Sequence, residues 1–349
     1  MRVVVTGATG NVGTSVLRAL STDSAVSEVI AVARRDPGRD LEGARFVRAD
    51  IATDDLAALF AGADAVVHLA WLIQPGRDEG LTRSVNVDSS ARVFEAVVTA
   101  RVPALIYASS VGAYSPGPKD RRVDESWPTN GIPTSFYSRH KAEVERQLDR
   151  LEAEHPWLRV VRLRPGLIFK REAATEIRRL FLGPLVPAAL LRSSLVPVFP
   201  DVAGLRFQAV HSDDVGEAYR AAVVSGCAGA FNIAAEPEIG PEELAGMLGA
   251  RLVRVSPQLV RAVAAATYRM RLQPAEPGWV DMGLGVPLMS TERAHSELGW
   301  SPRHTATEAI RELVEGMRRG ADDRTAPLAR STSGPARVRE FLTGVGGRQ

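Results

Sequence analysis

Cysteine is all but missing: Cys227 is the single one among 349 residues, so no internal disulfide can form. No Cys or His cluster has zinc-ligand spacing, so no metal is expected. Aromatic residues are sparse, at 6%. An excess of one charge is lacking too. Lys and Arg total 43 against 41 Asp and Glu, and the resulting +2 offers no broad field for nucleic acid or an anionic membrane. Nor is there a membrane-length apolar run. The most apolar stretch, 180–191, is broken by Pro184 and Pro187 and followed by Arg192, so it is too short for a membrane span and reads as a cap or pocket wall. The chain enters Val3-Val4-Val5 without the basic and apolar segments of a secretion signal. A reducing, cytoplasmic setting is expected.

What is present is a soluble globular composition, 45% hydrophobic and 24% charged, on a chain long enough for two lobes. The first 110 residues repeat a short β-branched run, a Gly or Asp punctuation and an amphipathic stretch, the rhythm of parallel βαβ winding. Strands are expected at Arg2–Thr6, Val29–Ala33, Arg45–Arg48, Ala65–Leu69 and Ala104–Ser109, and helices at Val12–Leu20, Asp54–Phe60 and Val85–Ala100. Ala65-Val66-Val67 and Ala104-Leu105-Ile106 are continuous apolar runs, which suit strands buried on both faces. After a polar helix over 133–154 and a strand at Arg159–Arg164, Pro165-Gly166 breaks the rhythm. Phe207–His211 reads as a strand returning to the sheet and Ser212–Val224 as a helix. The expected fold class is α/β, a doubly wound parallel sheet of Rossmann type with a smaller, discontinuous C-terminal substrate lobe. Residues 1–165, rejoined by 208–232, form the nucleotide domain; 166–207 and 233–318 form the substrate lobe; 319–349 read as a flexible tail.

Thr6-Gly7-Ala8-Thr9-Gly10-Asn11-Val12-Gly13 follows the first strand and opens a helix, the context in which a glycine pattern points to a dinucleotide. Gly7 allows the tight turn, Gly10 the approach of a pyrophosphate and Gly13 close helix packing, while Thr9, Asn11 and Val12 complete the cradle. The opening N–H groups of the helix favour phosphate. The second strand ends in Val32-Ala33-Arg34-Arg35, without the carboxylate that usually receives the ribose of NAD. Two guanidiniums there suit a 2′-phosphate, so NADP is preferred and NAD remains possible.

Further landmarks follow in order: Asp50-Ile51, His68-Leu69-Ala70, Asn86, Ser109-Ser110, Tyr137-Ser138-Arg139-His140-Lys141, Arg164-Pro165-Gly166, Val210-His211-Ser212-Asp213-Asp214-Val215 and Leu298-Gly299-Trp300-Ser301-Pro302. This series resembles the extended short-chain dehydrogenases/reductases, the group of NAD-dependent epimerases and dehydratases, over about residues 1–315. The resemblance implies that Asp50 and Ile51 contact adenine, Leu69 and Ala70 line the cofactor, Asn86 is the structural Asn of the next helix, and Pro165 lies beside the nicotinamide. It also implies catalysis by Ser110, Tyr137 and Lys141, with Lys141 holding the nicotinamide ribose as well. Tyr137 and Lys141 are four apart, on one helix face, where an ammonium favours an ionised phenol. Ser110 stands four residues before Tyr114, the spacing of the catalytic Ser/Thr in the family's sugar epimerases. His68 reads as structural, and no chemistry is assigned to His140.

Such a set performs alcohol–carbonyl hydride chemistry. Family members that dehydrate sugars carry an Asp-Glu pair after the catalytic residue; Val111-Gly112 stands here, which argues against 4,6-dehydration. The expected function is an NADP-dependent reductase or dehydrogenase, with a nucleotide-sugar epimerase as the alternative. A redox-inactive NADP sensor or scaffold is the alternative from another class. Leu167-Ile168-Phe169-Lys170 and the apolar stretch after it suit a hydrophobic carbonyl or alcohol, whereas Arg178, Arg179, Arg192 and Arg206 suit a nucleotide-sugar diphosphate. By resemblance, Val85–Ala100 and Tyr137–Leu151 are candidate contacts of a homodimer.

Overall fold

The computed structural model describes residues 1–38, 40–41, 43–73, 77–178, 197–323, 325 and 328. Arg179, Arg192, the expected wall at 180–191 and nearly all of the expected tail lie outside the described residues.

The strands, in chain order, are β1 (Arg2–Thr6), β2 (Glu28–Ala33), β3 (Arg45–Arg48), β4 (Ala65–His68), β5 (Ala104–Ala108), β6 (Arg122–Val123), β7 (Arg159–Pro165), β8 (Leu167–Phe169), β9 (Val198–Val202), β10 (Phe207–His211), β11 (Gly229–Ile233), β12 (Ala235–Ile239), β13 (Arg251–Val255) and β14 (Leu288–Met289). The helices are α1 (Asn11–Ser21), α2 (Leu56–Phe60), α3 (Glu79–Arg83), α4 (Ser89–Thr99), α5 (Phe136–Glu154), α6 (Ala174–Ile177), α7 (Ser212–Val224), α8 (Pro241–Leu248), α9 (Pro257–Arg269), α10 (Gly278–Gly285), α11 (Glu292–Leu298) and α12 (Ala306–Arg319).

Seven strands form one parallel sheet in the order β11-β7-β5-β4-β1-β2-β3. Successive side chains point to opposite faces, so β1 divides its valines between two cores. Val3 and Val5 pack with Val16 and Leu20 of α1 and Val215, Ala218 and Tyr219 of α7. Val4 joins Phe60 of α2, Val93 and Phe94 of α4, and Val144 and Leu148 of α5 on the other face. Both faces are covered, as a doubly wound sheet requires.

Phe207–His211 does not return to this sheet. Strand β10 lies between β12 and β8 in a separate three-stranded sheet, while β11 takes the place beside β7. Gly166 permits the switch: a Cβ there would sit 2.5 Å from the Gln208 carbonyl oxygen, so only glycine lets the chain leaving β7 run against β10. A two-stranded pairing of β13 with β9 also escaped the sequence reading, because Pro200 interrupts the strand pattern of β9. The helix expected over Val85–Ala100 begins as α3 and one π-helical turn, Ser84–Asp88, before α4.

Candidate active site

The glycine turn joins β1 to α1 at the C-terminal end of the sheet. Gly7 has φ +71, and a Cβ there would lie 2.6 Å from Ala70 N. A Cβ on Gly13 would lie 2.4 Å from the Gly7 carbonyl oxygen. At Gly10 the added atom would meet only that same oxygen, at 3.5 Å, so its outer side is open. Gly10 is also the N-cap of α1, with no side-chain cap and no acid in the first turn. The opening N–H groups therefore have no competing anion on their own helix.

A groove runs from this turn, lined by Gly7, Thr9, Gly10, Arg34, Arg35, Asp50, Ile51, Leu69, Ala70 and Trp71, with about 190 Å³ of accessible space. Arg34 and Arg35 are exposed at one end of it. The uncapped helix, the bare glycine cradle and the guanidinium pair fit a dinucleotide carrying phosphates. Asn86 is not among the lining residues. Both ends of its buried amide serve the Leu72 backbone, Oδ1 accepting from Leu72 N at 2.7 Å and Nδ2 donating to Leu72 O at 2.8 Å. Its part in the groove is to pin the loop that carries Trp71. Asn11 Nδ2 donates to Ile168 O at 3.3 Å, Val12 and Gly13 lie within α1, and Pro165 is buried in β7 beside Ile233.

Beneath the first turn of α1 lies a buried ammonium that sequence reading missed. Lys170 Nζ donates to Asn11 O and Thr14 Oγ1, both at 2.6 Å, and to Ser15 Oγ at 3.2 Å. Burial pushes its pKa down to about 8. Ser15 continues the network to Asp213, which also pairs with Arg18.

The structure brings Ser110, Tyr137 and Lys141 together at the end of β5 and the start of α5. Ser135 caps α5, its hydroxyl accepting from Ser138 N at 3.4 Å, which sets Tyr137 in the first turn. Ser110 Oγ accepts from Gly112 N at 3.0 Å and hydrogen-bonds the Tyr137 hydroxyl. Burial pushes the Tyr137 pKa up to about 12, and the Ser110 hydrogen bond opposes this. The expected depression of the phenol by Lys141 is thus absent from this arrangement. Lys141 is itself fully buried, its pKa is driven well below that of an ordinary lysine, and its Nζ lies 5.8 Å from the Tyr137 ring centroid. That ammonium donates to Ala108 O at 2.6 Å and sits 3.5 Å from the centroid of Trp71.

Aromatic and thioether groups enclose the phenol. Trp71 meets it edge-on at 5.8 Å and Trp279 lies 5.0 Å away. A Cβ on Gly112 would come within 2.9 Å of Tyr137 Cε1 and 3.1 Å of Met282 Sδ, so position 112 has no room for an acid. Ser109 is committed elsewhere, its hydroxyl donating to Glu145 Oε1 at 2.5 Å. Glu145 also accepts from Arg164 Nε at 2.9 Å and Arg162 Nη1 at 2.9 Å, and these cations hold its pKa near 2 despite burial. This buried cluster fixes α5, and hence Tyr137, against β7. His68 accepts a structural role: it bridges Thr6 and Ser90 at 2.7 and 3.0 Å, and burial drives its pKa to about 3, leaving it neutral. Sequence reading singled out none of Glu145, Trp71 and Trp279, although Glu145 is the i+4 neighbour of Lys141 and Trp71 follows Leu69-Ala70.

The family of NAD dependent epimerases/dehydratases matches residues 3–234. An uncharacterised protein of Mycobacterium tuberculosis is 25% identical over 321 residues, 91% of this chain; the chain spans only 30% of that relative's length. A UDP-glucose 4-epimerase of Mycolicibacterium smegmatis is 27% identical over 347 residues, covering 91% of this chain and 99% of its own. The fold is shared with the UDP-glucose 4-epimerase of Thermus thermophilus in complex with NAD, at a TM-score of 0.67 and 22% identity over 91% of this chain and 99% of that one. With the glycine turn, the groove and the Ser-Tyr-Lys grouping all inside or beside the matched span, the chain belongs to the NAD dependent epimerase/dehydratase family.

Proposed function

We propose that this chain is an NAD(P)-dependent enzyme that oxidises and re-reduces one hydroxyl-bearing carbon, working as a nucleotide-sugar epimerase. The observation that carries this is spatial: the groove lined by Gly7 and Gly10 is also lined by Trp71, whose ring contacts both Tyr137 and Lys141. Gly7, Gly10 and the start of α1 would hold the pyrophosphate, Asp50 and Ile51 the adenine, and Lys141 the ribose near the reacting carbon. Bound NAD(P) would supply the acceptor of a hydride and, for the return step, its donor.

The chain's own part is proton management and positioning. Ser110 Oγ and Tyr137 Oη form a pair of hydroxyls that can grip one substrate oxygen. The Tyr137 oxygen removes the alcohol proton in the oxidative half and returns it in the reductive half. The phenol is held protonated when the site is free, the form needed for the reductive half. The packed glycine at 112 supports the exclusion of sugar 4,6-dehydration, which needs an acid–base pair there.

A second reading, net NADP-dependent reduction of an apolar carbonyl, is favoured by Arg34 and Arg35 in the groove and by Trp279 and Met282 beside the phenol. Incubating the protein with NAD, NADPH, UDP-sugars and a panel of aldehydes and ketones separates the two. Sugar isomerisation without net cofactor change supports the epimerase, and stoichiometric NADPH consumption supports the reductase. Cofactor binding with neither reaction would leave a sensor.

A further inference from the structure

Helix α9 is held on the surface with an apolar row turned to solvent. None of its residues is buried, and its polar contacts point inward: Arg261 Nε donates to Asp281 of α10 at 2.8 Å, and Arg77 stacks 3.9 Å over the Tyr268 ring. Its apolar stripe faces solvent, with Leu259 55%, Val263 54% and Met270 61% exposed. Positions 259, 263 and 270 recur at helical spacing, so they form one row. Leu272 follows just beyond the helix, and Leu252 and Val253 on β13 are exposed too, pointing as consecutive strand residues to opposite faces. Six of the nine large apolar side chains exposed among the described residues fall within 251–272, and three of them, Leu259, Val263 and Met270, share the solvent face of α9.

Charge identifies what covers it. Between Glu243 and Glu276 the sequence has no acid, and five arginines: 251, 254, 261, 269 and 271. Arg261 is neutralised by Asp281 and Arg254 lies 4.0 Å from Asp201, but the Arg254 side chain remains 97% exposed, and Arg251, Arg269 and Arg271 are exposed as well. The overall +2 therefore conceals a local cationic rim around an apolar row. Two copies meeting through this patch about a two-fold axis would oppose their own arginines, which disfavours self-association. An apolar row flanked by guanidiniums matches the boundary between acyl chains and anionic headgroups. None of the described helices is long and apolar enough to cross a membrane, so attachment would be peripheral.

We propose that the exposed apolar row of α9 docks on the surface of an anionic lipid bilayer. The apolar row would enter the headgroup boundary, and Arg251, Arg254, Arg269 and Arg271 would meet lipid phosphates. The test is cosedimentation of the full chain with vesicles of phosphatidylcholine alone or with one-third phosphatidylglycerol. Expected is a partition about tenfold higher on the anionic vesicles, falling as salt rises. Two variants are run alongside, L259E/V263E against the row and R254E/R271E against the rim, and each should abolish binding. Unchanged melting temperature shows that both remain folded, as expected for side chains that bury nothing. Equal partition on the two vesicle types, or binding retained by either folded variant, overturns the proposal. So does a concentration-dependent dimer that L259E/V263E dissociates, because the patch would then serve a second copy. The readout needs neither substrate nor cofactor, so it stands or falls apart from the proposed reaction.

Discussion

Tyr137 and Lys170 show at the scale of single residues how burial overrides textual spacing. Four-residue separation puts Lys141 on the face of Tyr137, yet Lys141 is buried and Tyr137 half-buried, and desolvation pushes each away from its charged form. Because oxidation needs the deprotonated phenol and its pKa lies near 12, the oxidative rate should climb about tenfold per pH unit between pH 7 and 10. The reductive rate, which uses the protonated form, should stay flat over that range. Single-turnover profiles of each half-reaction, followed by the nicotinamide absorbance, check this. Tyr137→Phe should lower kcat by about 100-fold or more while cofactor affinity, read by calorimetry, is kept. Lys170 gives a stability prediction of definite sign. Its folded pKa of about 8 lies below its ordinary 10.5, so the unfolded chain binds the extra proton between those values. The penalty is complete below pH 8 and is relieved as pH rises to 10.5. Relative to Lys170→Met, the wild-type protein should gain about 3 kcal/mol across that window in urea titrations.

Among elements, α5 and α1 are the ones whose placement decides the site. Helix α5 is tied to β7 through Glu145, whose side chain is fully buried against Arg162 and Arg164. Removing the charge in Glu145→Gln leaves the buried Arg164 without its carboxylate, although Arg162 keeps Asp149 and Glu152, and should cost about 3–5 kcal/mol in chemical denaturation. The depressed Glu145 pKa has the opposite pH sign to Lys170: its stabilisation is full above pH 4.5 and is lost as pH falls towards 2. Helix α1 carries the glycine turn and crosses α7 at Gly216, where a Cβ would lie 2.7 Å from the Ser15 carbonyl oxygen. Gly216→Leu should push the helices apart, at about 1–3 kcal/mol, and weaken dinucleotide binding without touching the groove. Melting temperature and cofactor titration together read both effects.

For the whole molecule, ligand linkage offers the broadest check. A saturating dinucleotide, at about 100 times its Kd, should raise stability by about 2.7 kcal/mol, and comparing NAD with NADP tells which one the Arg34–Arg35 end selects. The parallel sheet and the Gly7–Gly13 turn were legible because both are local patterns: β-branched runs buried on two faces, and glycines where backbone approaches backbone. The order Ser110, Tyr137, Lys141 was legible through the family resemblance, and the structure sets Ser110 after β5 and the other two in the opening turns of α5. The separate sheet of β8, β10 and β12 was not, since one edge position beside β7 was open to either β10 or β11 and local propensity cannot choose between them. Trp71 follows the marked Leu69-Ala70 pair and Lys170 ends a marked segment, but the contacts of the first with Tyr137 and of the second with α1 depend on packing between distant segments, and nothing along the chain marks Trp279. What the sequence by itself determined is the winding of the sheet, the glycine cradle and the identity of the side chains proposed to react. Only the tertiary structure decided the electrostatics of those side chains and the aromatic wall around them. Desolvation and ring contacts depend on what packs against a group in space, and that is set by segments up to hundreds of residues apart.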